Sequence, residues 1–279
     1  MERTPSIGRD HTASALGAIA NAWREHAHLW RSAGRRLRSD VAHGLNAPRC
    51  WWRRLRRPRI VTLEGVRLDT HVLPPDTRRR VWAGRYERGE SRCVKAAVDP
   101  DDVVLECGSG IGFVTTLCAL RARRGRVVTY EANAALLPTL HRVFELNGVT
   151  VAVRHGVVGP GNGPVEFFVE DHVQSSSVSQ RTDGARSVVV MQFDINQVIE
   201  EVRPTVLVMD VEGAEGTILP AIEWQRATVQ KIVLELHPRI LGEERLDRTI
   251  RALVEAGFVE DRWLSTRKKK LFRRKAGIA

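Results

Sequence analysis

Read for the spacing of its apolar positions, the chain divides into a helical N-terminal stretch and a long middle of short β-branched runs alternating with helical segments. Over residues 12–37, Leu16, Ile19, Trp23, Ala27, Trp30 and Leu37 recur at spacings of three, four and seven, the period of an amphipathic helix. Pro48 ends that pattern, and the Arg/Trp cluster CWWRRLRRPR follows. From Ile60, IVTLEGVRLDTHVLP alternates apolar and polar positions around Glu64-Gly65 and predicts a short hairpin, with a helical stretch over 78–98 after it. Strands are then predicted over 103–106, 126–130, 151–154, 165–169, 187–192, 206–209 and 231–236, with helices over 113–121, 135–146, 195–201, 216–226 and 243–256 between them. Two strand-like pieces, 258–264 and 271–274, flank the basic turn TRKKK. Alternation of this kind implies βαβ units and a mostly parallel sheet covered on both faces, closed by an antiparallel hairpin.

Length and composition fit one well-buried α/β domain with appendages, since 43% of the 279 residues are hydrophobic. The expected organisation is a basic helical extension over 1–58, a hairpin and helix over 59–98 leading into the core, and the alternating α/β domain over 99–279. Cys50, Cys93, Cys107 and Cys118 include no CxxC pair or metal-ligand spacing, which points to a reducing, cytoplasmic setting. No apolar run is long enough to span a bilayer, so the protein is expected to be soluble or at most peripheral to a membrane.

The formal charge of +11 belongs to the ends of the chain. Residues 1–60 carry 13 arginines against four acids, and 262–279 carry eight basic residues and no acid, which leaves the segment between them net acidic. This distribution suits anionic partners of the tails, lipid headgroups among them, and weighs against a nucleic-acid-binding core. For residues 1–58 two readings stand: a helix whose apolar stripe docks on its own domain or on a second copy in a homodimer, which is the commoner use of such a stripe, and a surface for peripheral membrane contact.

Candidate chemistry begins at VVLECGSGIGF, a strand running into Gly108, Gly110 and Gly112 and then a helix. Glycines there let a ligand approach the main chain, and the helix start offers unpaired N–H groups. The spacing departs from the dinucleotide fingerprint, and Glu106 stands two residues before the first glycine. A carboxylate beside the loop suits a cationic ligand better than a pyrophosphate, and S-adenosylmethionine is such a ligand. Glu131, at the end of the next strand, is placed to accept hydrogen bonds from both ribose hydroxyls.

The stretches VVLECGSGIGF, VVTYEANAALLPTLHRVFELNGV, VLVMDVEGAEGTIL and IVLELHP, in this order, resemble the FkbM-type S-adenosylmethionine-dependent methyltransferases, from about Arg59 to the C-terminus. The resemblance implies a Rossmann-like, doubly wound α/β sheet of seven strands, the last antiparallel, and methyl transfer to a hydroxyl of a sugar, polyketide or other small metabolite. It also implies that Glu106, Gly108, Ser109 and Gly110 hold the methionine part, that Glu131 holds the ribose, that Ala132 beside it belongs to the cofactor-binding residues, and that Val157 in HGVVG flanks the adenine. Tyr86, in a Tyr-Glu pair with Glu87, is implied at the amino-acid end of the cofactor, and Ser175 to Ser177 near the substrate opening.

An alcohol acceptor must lose a proton, and ligands of open α/β sheets sit beyond the carboxyl ends of the strands, where Asp210, Glu235 and His237 fall. His237 is the expected general base, with Asp210 or Glu235 orienting it or receiving the proton. A less favoured arrangement has Asp210, Glu212 and His237 binding a divalent cation that lowers the acceptor's pKa. A structural use of His237 beside Pro238 stays open, and Glu215 is expected to be a charge at a helix start. The reading from another class is a catalytically inactive cofactor-fold protein that binds lipid or nucleic acid through its basic tails; a nucleic-acid methyltransferase is disfavoured by the acidic core.

Overall fold

The computed structural model describes residues 47–169 and 186–275. The stripe over 12–37 and the serines of 175–177 lie outside these residues. The described chain opens with helix α1 (Ala47–Arg56), then strands β1 (Ile60–Leu63) and β2 (Val66–Asp69), which pair antiparallel as the hairpin alternation predicts. Their inward side chains Val61, Leu63, Val66 and Leu68 join the same core cluster as the main sheet.

One expected helix, over 78–98, is two: α2 (Pro75–Trp82) and α3 (Arg88–Ala97). Gly84 and Glu87 adopt positive φ between them, and Tyr86 turns into the core, edge-on to Phe113 at 5.4 Å. A continuous helix would leave that ring without its buried position.

The main sheet follows the alternation closely. It comprises β3 (Val103–Cys107), β4 (Arg126–Glu131), β5 (Ala152–His155), β9 (Val206–Met209), β10 (Lys231–Glu235), β11 (Phe258–Glu260) and β12 (Lys269–Arg274). Its spatial order is β11-β12-β10-β9-β3-β4-β5, all parallel except β12, which runs antiparallel to both neighbours. The period of two along buried strands divides their residues between two cores. Val104, Val206, Val208 and Val233 face α3 and α4 (Phe113–Arg121), while Leu105, Leu207, Met209, Ile232 and Leu234 face the other side. That second side is covered by α6 (Ile195–Val202), α7 (Glu215–Ala221) and α8 (Pro238–Glu255), and α5 (Leu137–Asn147) completes the set of helices.

Strands expected over 165–169 and 187–192 do not enter this sheet. With β6 (Val157–Gly159), β7 (Gly163–Val169) and β8 (Arg186–Asp194) form a separate three-stranded sheet in the order β6-β8-β7. Their burial is partial, with Val189 and Met191 exposed, whereas the main-sheet strand β9 is buried at every position. A strand with one wet face belongs at such an edge rather than inside a parallel sheet.

Two helix boundaries also differ from the pattern. α7 ends at Ala221, because Pro220 removes an N–H from the helix and the chain turns toward Trp224, rather than continuing over 216–226. α8 starts at Pro238, ahead of the predicted 243, and a kink at Gly242 joins its two parts. Proline at a first helical position costs no intrahelical bond, so the helix begins directly after His237.

Candidate functional site

The chain lays down β3, β4 and β5 in one direction across the sheet and β9 and β10 in the other, so the order reverses between β3 and β9. Loops leaving adjacent strands at such a reversal diverge and leave a crevice at their carboxyl ends. A cavity of about 460 Å³ occupies that place here. Among the described residues, its walls include Tyr86, Glu106, Gly108, Ser109, Gly110, Glu131, Ala132, Val157, Asp210, Glu212, Glu235 and His237, all expected at the site.

The turn after β3 depends on Gly108, whose φ is +88° and whose missing Cβ would lie 2.0 Å from the carbonyl oxygen of Asp210. Backbone bonds tie the turn down on both sides, from Gly108 N to Tyr130 O at 3.0 Å and from Asp210 N to Cys107 O at 3.0 Å. The glycine loop and the Asp210 loop are thereby locked together.

Glu106 is almost wholly buried beneath this turn. Its Oε2 accepts from Thr115 Oγ1 and from Thr129 Oγ1 at 2.6 Å, while Oε1 is buried with no hydrogen-bond partner. Burial pushes its pKa up to about 7 against the two threonine bonds, and the nearby Glu131 adds to the rise. The Glu131 carboxylate accepts from Gly110 N at 2.7 Å through Oε2 and from Asn133 N at 2.8 Å through Oε1. Its pKa is also pushed up to about 7 by burial, with these backbone donors opposing. Ala132, Val157 and Val158 give the adjoining wall an apolar character, and Tyr86 stands against Phe113 with the Arg80 guanidinium 5.4 Å from its ring centre.

At the opposite wall, four carboxylates surround His237. Its Nε2 lies 3.2 Å from Glu212 Oε2 and 3.8 Å from both Asp210 Oδ1 and Glu235 Oε1. Its Nδ1 meets Glu215 Oε1 at 2.9 Å, and the same oxygen accepts the His237 backbone N–H at 2.7 Å. Glu215 is fully buried, with Oε2 accepting from Gly213 N at 2.6 Å. The expectation of a simple helix-start charge is therefore corrected: Glu215 opens α7, but its carboxylate is spent on holding His237 and the preceding loop. The His237 side chain makes no capping bond to α8, so the histidine's hydrogen bonding is directed at this cluster.

Burial, and after it charge crowding, sets the protonation of the group. Burial and then the neighbours Glu235, Glu87 and Glu212 hold the Asp210 carboxyl well above the usual range, although 38% of its side chain is open toward the cavity. Glu235 is raised chiefly by burial, with His237 opposing. Burial would lower His237, but its bond to Glu215 and the charges around it prevail and raise its pKa. Two of the cavity's carboxylates, Glu87 and Glu212, sit on non-glycine residues with positive φ, backbone strain of the kind that collects at functional sites.

Sequence reasoning missed Glu90 and Lys269. Lys269, in the turn read only as basic, sends Nζ into ion pairs with Glu90 and Glu235 and to 3.9 Å from Glu87. Burial lowers its pKa to about 8, with Glu87 opposing and Arg80 reinforcing. Two groups of potential metal donors fall in this wall, Asp210 with Glu212 and His237, and Glu87 with Glu90 and Glu235. The second already surrounds the Lys269 ammonium.

Residues 106–260 match the family described as the methyltransferase FkbM domain. The chain is 23% identical over 215 residues to the hexuronic acid methyltransferase AglP of Haloferax volcanii, an alignment covering 71% of this chain and 86% of that protein. Among solved structures, the precorrin-6y C5,15-methyltransferase of Geobacter metallireducens GS-15 is 13% identical, over 63% of this chain and 74% of that one, with a TM-score of 0.40. The Aeropyrum pernix fibrillarin with natively bound S-adenosyl-L-methionine is 14% identical, over 63% and 67%, with a TM-score of 0.37.

Proposed function

The chain belongs to the FkbM methyltransferase family, and from that premise we propose that it transfers a methyl group from S-adenosylmethionine to a hydroxyl oxygen of a sugar-type acceptor, with His237 as general base. One observation carries the reading: the cofactor-side carboxylates Glu106 and Glu131 and the cluster of Asp210, Glu235 and His237 line the same cavity. The residues present fit the donor. Glu106 has a buried oxygen without a partner, the Glu131 carboxylate lines the cavity, and the wall is acidic where a cation would lie.

When bound, S-adenosylmethionine supplies an electrophilic methyl group on a positively charged sulfur. Glu131 would receive the ribose hydroxyls while Gly110 N keeps the carboxylate in place. Val157 would offer the adenine an apolar contact. His237 Nε2 faces the cavity and takes the acceptor's hydroxyl proton as its oxygen bonds to the methyl carbon. Glu215 receives the Nδ1–H, fixing the tautomer whose lone pair lies on Nε2 and stabilising the imidazolium formed. Asp210 and Glu235, both raised in pKa, lie 3.8 Å from Nε2 and provide the next station for that proton. The same donors would serve a divalent cation, but base catalysis needs no further component.

A sugar acceptor is favoured by the similarity to AglP and by the dimensions of the cavity, about 460 Å³, which suit a nucleoside with a small polar molecule. Purified protein should bind S-adenosylmethionine in calorimetry and methylate members of a panel of hexuronates and neutral hexosides, with turnover surviving EDTA. An alkali-stable product identifies an ether, while an alkali-labile one places the methyl group on a carboxyl oxygen instead. Absence of both donor binding and methylation would refute the assignment.

A further inference from the structure

A buried cation sits within the acidic wall of the cavity, and the fold leaves a passage for its side chain. Lys269 opens β12 and pairs in register with Glu235 of β10. Its stem crosses α3 at Gly89, where a Cβ would come within 2.9 Å of Lys269 Cγ. Only 20% of the side chain is exposed, so the ammonium is held where burial by itself disfavours charge. Its partners come from separate places: Glu87 and Glu90 at the start of α3, and Glu235 at the end of β10. Arg80 from α2 adds a like charge nearby, and Glu235 extends the contact to His237.

We propose that Lys269 is a positioning residue of the methyl-transfer site: it fixes Glu235 beside Asp210 and His237, and it offsets part of the negative charge that Glu87, Glu90, Asp210, Glu212 and Glu235 bring to the cavity. The role rests on the S-adenosylmethionine reading above. Methyl transfer breaks the carbon–sulfur bond of a positive sulfonium, forms the oxygen–carbon bond and leaves a neutral thioether, while the hydroxyl proton passes to His237. An uncompensated anionic pocket would therefore hold the charged donor far more tightly than the neutral product and deepen the ground state from which transfer starts. A fixed cation limits that preference.

The test compares affinities for S-adenosylmethionine and S-adenosylhomocysteine, which share the nucleoside and amino-acid ends and differ in the charge on sulfur. Calorimetry at one pH is run on the wild-type chain, Lys269→Met, Lys269→Arg and Gly89→Ala. The preference for the charged ligand is expected to rise about three- to tenfold in Lys269→Met, as loss of one nearby unit charge implies at protein-like dielectric. Lys269→Arg, which keeps the charge, should retain the wild-type ratio. Gly89→Ala should lie between, because Gly89 has no positive φ and only the Lys269 stem must move. An unchanged ratio in folded Lys269→Met overturns the proposal. If that variant does not fold, an unchanged ratio in Gly89→Ala overturns it. Failure of the wild-type chain to bind either ligand refutes the donor reading instead.

Discussion

His237 illustrates how little of a proposed general base's character resides in the residue. Four carboxylates reach it, Asp210 and Glu212 from the loop after β9, Glu215 from α7 and Glu235 from β10, and Glu215, Glu212 and Glu235 raise a pKa that burial would lower. Its hydrogen bond to the fully buried Glu215 decides which ring nitrogen faces the cavity. His237→Ala and Asp210→Asn are each expected to lower turnover by at least ~100-fold while leaving S-adenosylhomocysteine affinity within a few-fold, since both act on the acceptor's proton. Glu215→Gln keeps the size but removes the anion; kcat should fall roughly 10- to 100-fold, the range for a group that orients the reacting one. Because that anion helps to raise the His237 pKa, the acid limb of the pH–rate profile should move to lower pH in this variant. An unmoved limb would show that Glu215 only supports the loop.

Among the elements, the unit that matters most is the pair of turns after β3 and β9. Gly108 carries both a positive φ and a carbonyl oxygen 2.0 Å from where its Cβ would be, so alanine there adds strain and a backbone clash. Gly110, two residues on, also has positive φ but nothing within 4 Å of its missing Cβ. Gly110→Ala should thus cost about 1–2 kcal/mol, the left-handed penalty alone. Gly108→Ala should cost more, and it should also displace Asp210 and weaken donor binding. Parallel thermal melts and S-adenosylhomocysteine titrations of the two variants separate the contributions; equal losses would remove the close approach as the reason for Gly108. At the same scale, the helix over 113–121 and the strand over 206–209 are legible from local pattern to the residue. The break between α2 and α3 is not, because burying Tyr86 against Phe113 outweighs local helix propensity.

For the whole molecule, the excess of buried acid links stability to pH. Glu106 and Glu131 have folded pKa values of about 7, above those of an unfolded chain near 4.5, so the native state keeps protons that the unfolded state releases. Their contribution is therefore fullest at low pH and declines as pH rises toward 7. His237, also raised, acts in the same direction through its own folded pKa. The lowered carboxylates Asp69, Asp101 and Glu201 act oppositely, but below the range in question. Ligand-free protein should accordingly melt several degrees lower at pH 7.5 than at pH 5.5. S-adenosylmethionine, by pairing its charge with the ionised site, should raise the midpoint more at the higher pH. A midpoint that climbs from pH 5.5 to 7.5 without ligand would contradict the buried-acid account.

The chain's local pattern was sufficient for the alternating elements, the doubly wound sheet, the glycine turn and the acids at the strand ends, because period, β-branching and glycine spacing act over a few residues. It also placed the most family-specific motif, Asp210 to Glu215, at the ligand edge of that sheet. Only the tertiary structure decided that Glu215, 22 residues before His237, is the histidine's partner, and that Lys269, 34 residues after Glu235, is the cation in the acidic wall. It also set β7 and β8 apart in a second sheet. Those contacts depend on strand register and on how helices close over the sheet, and a charged side chain reads the same in sequence whether it ends in solvent or in a buried ion pair.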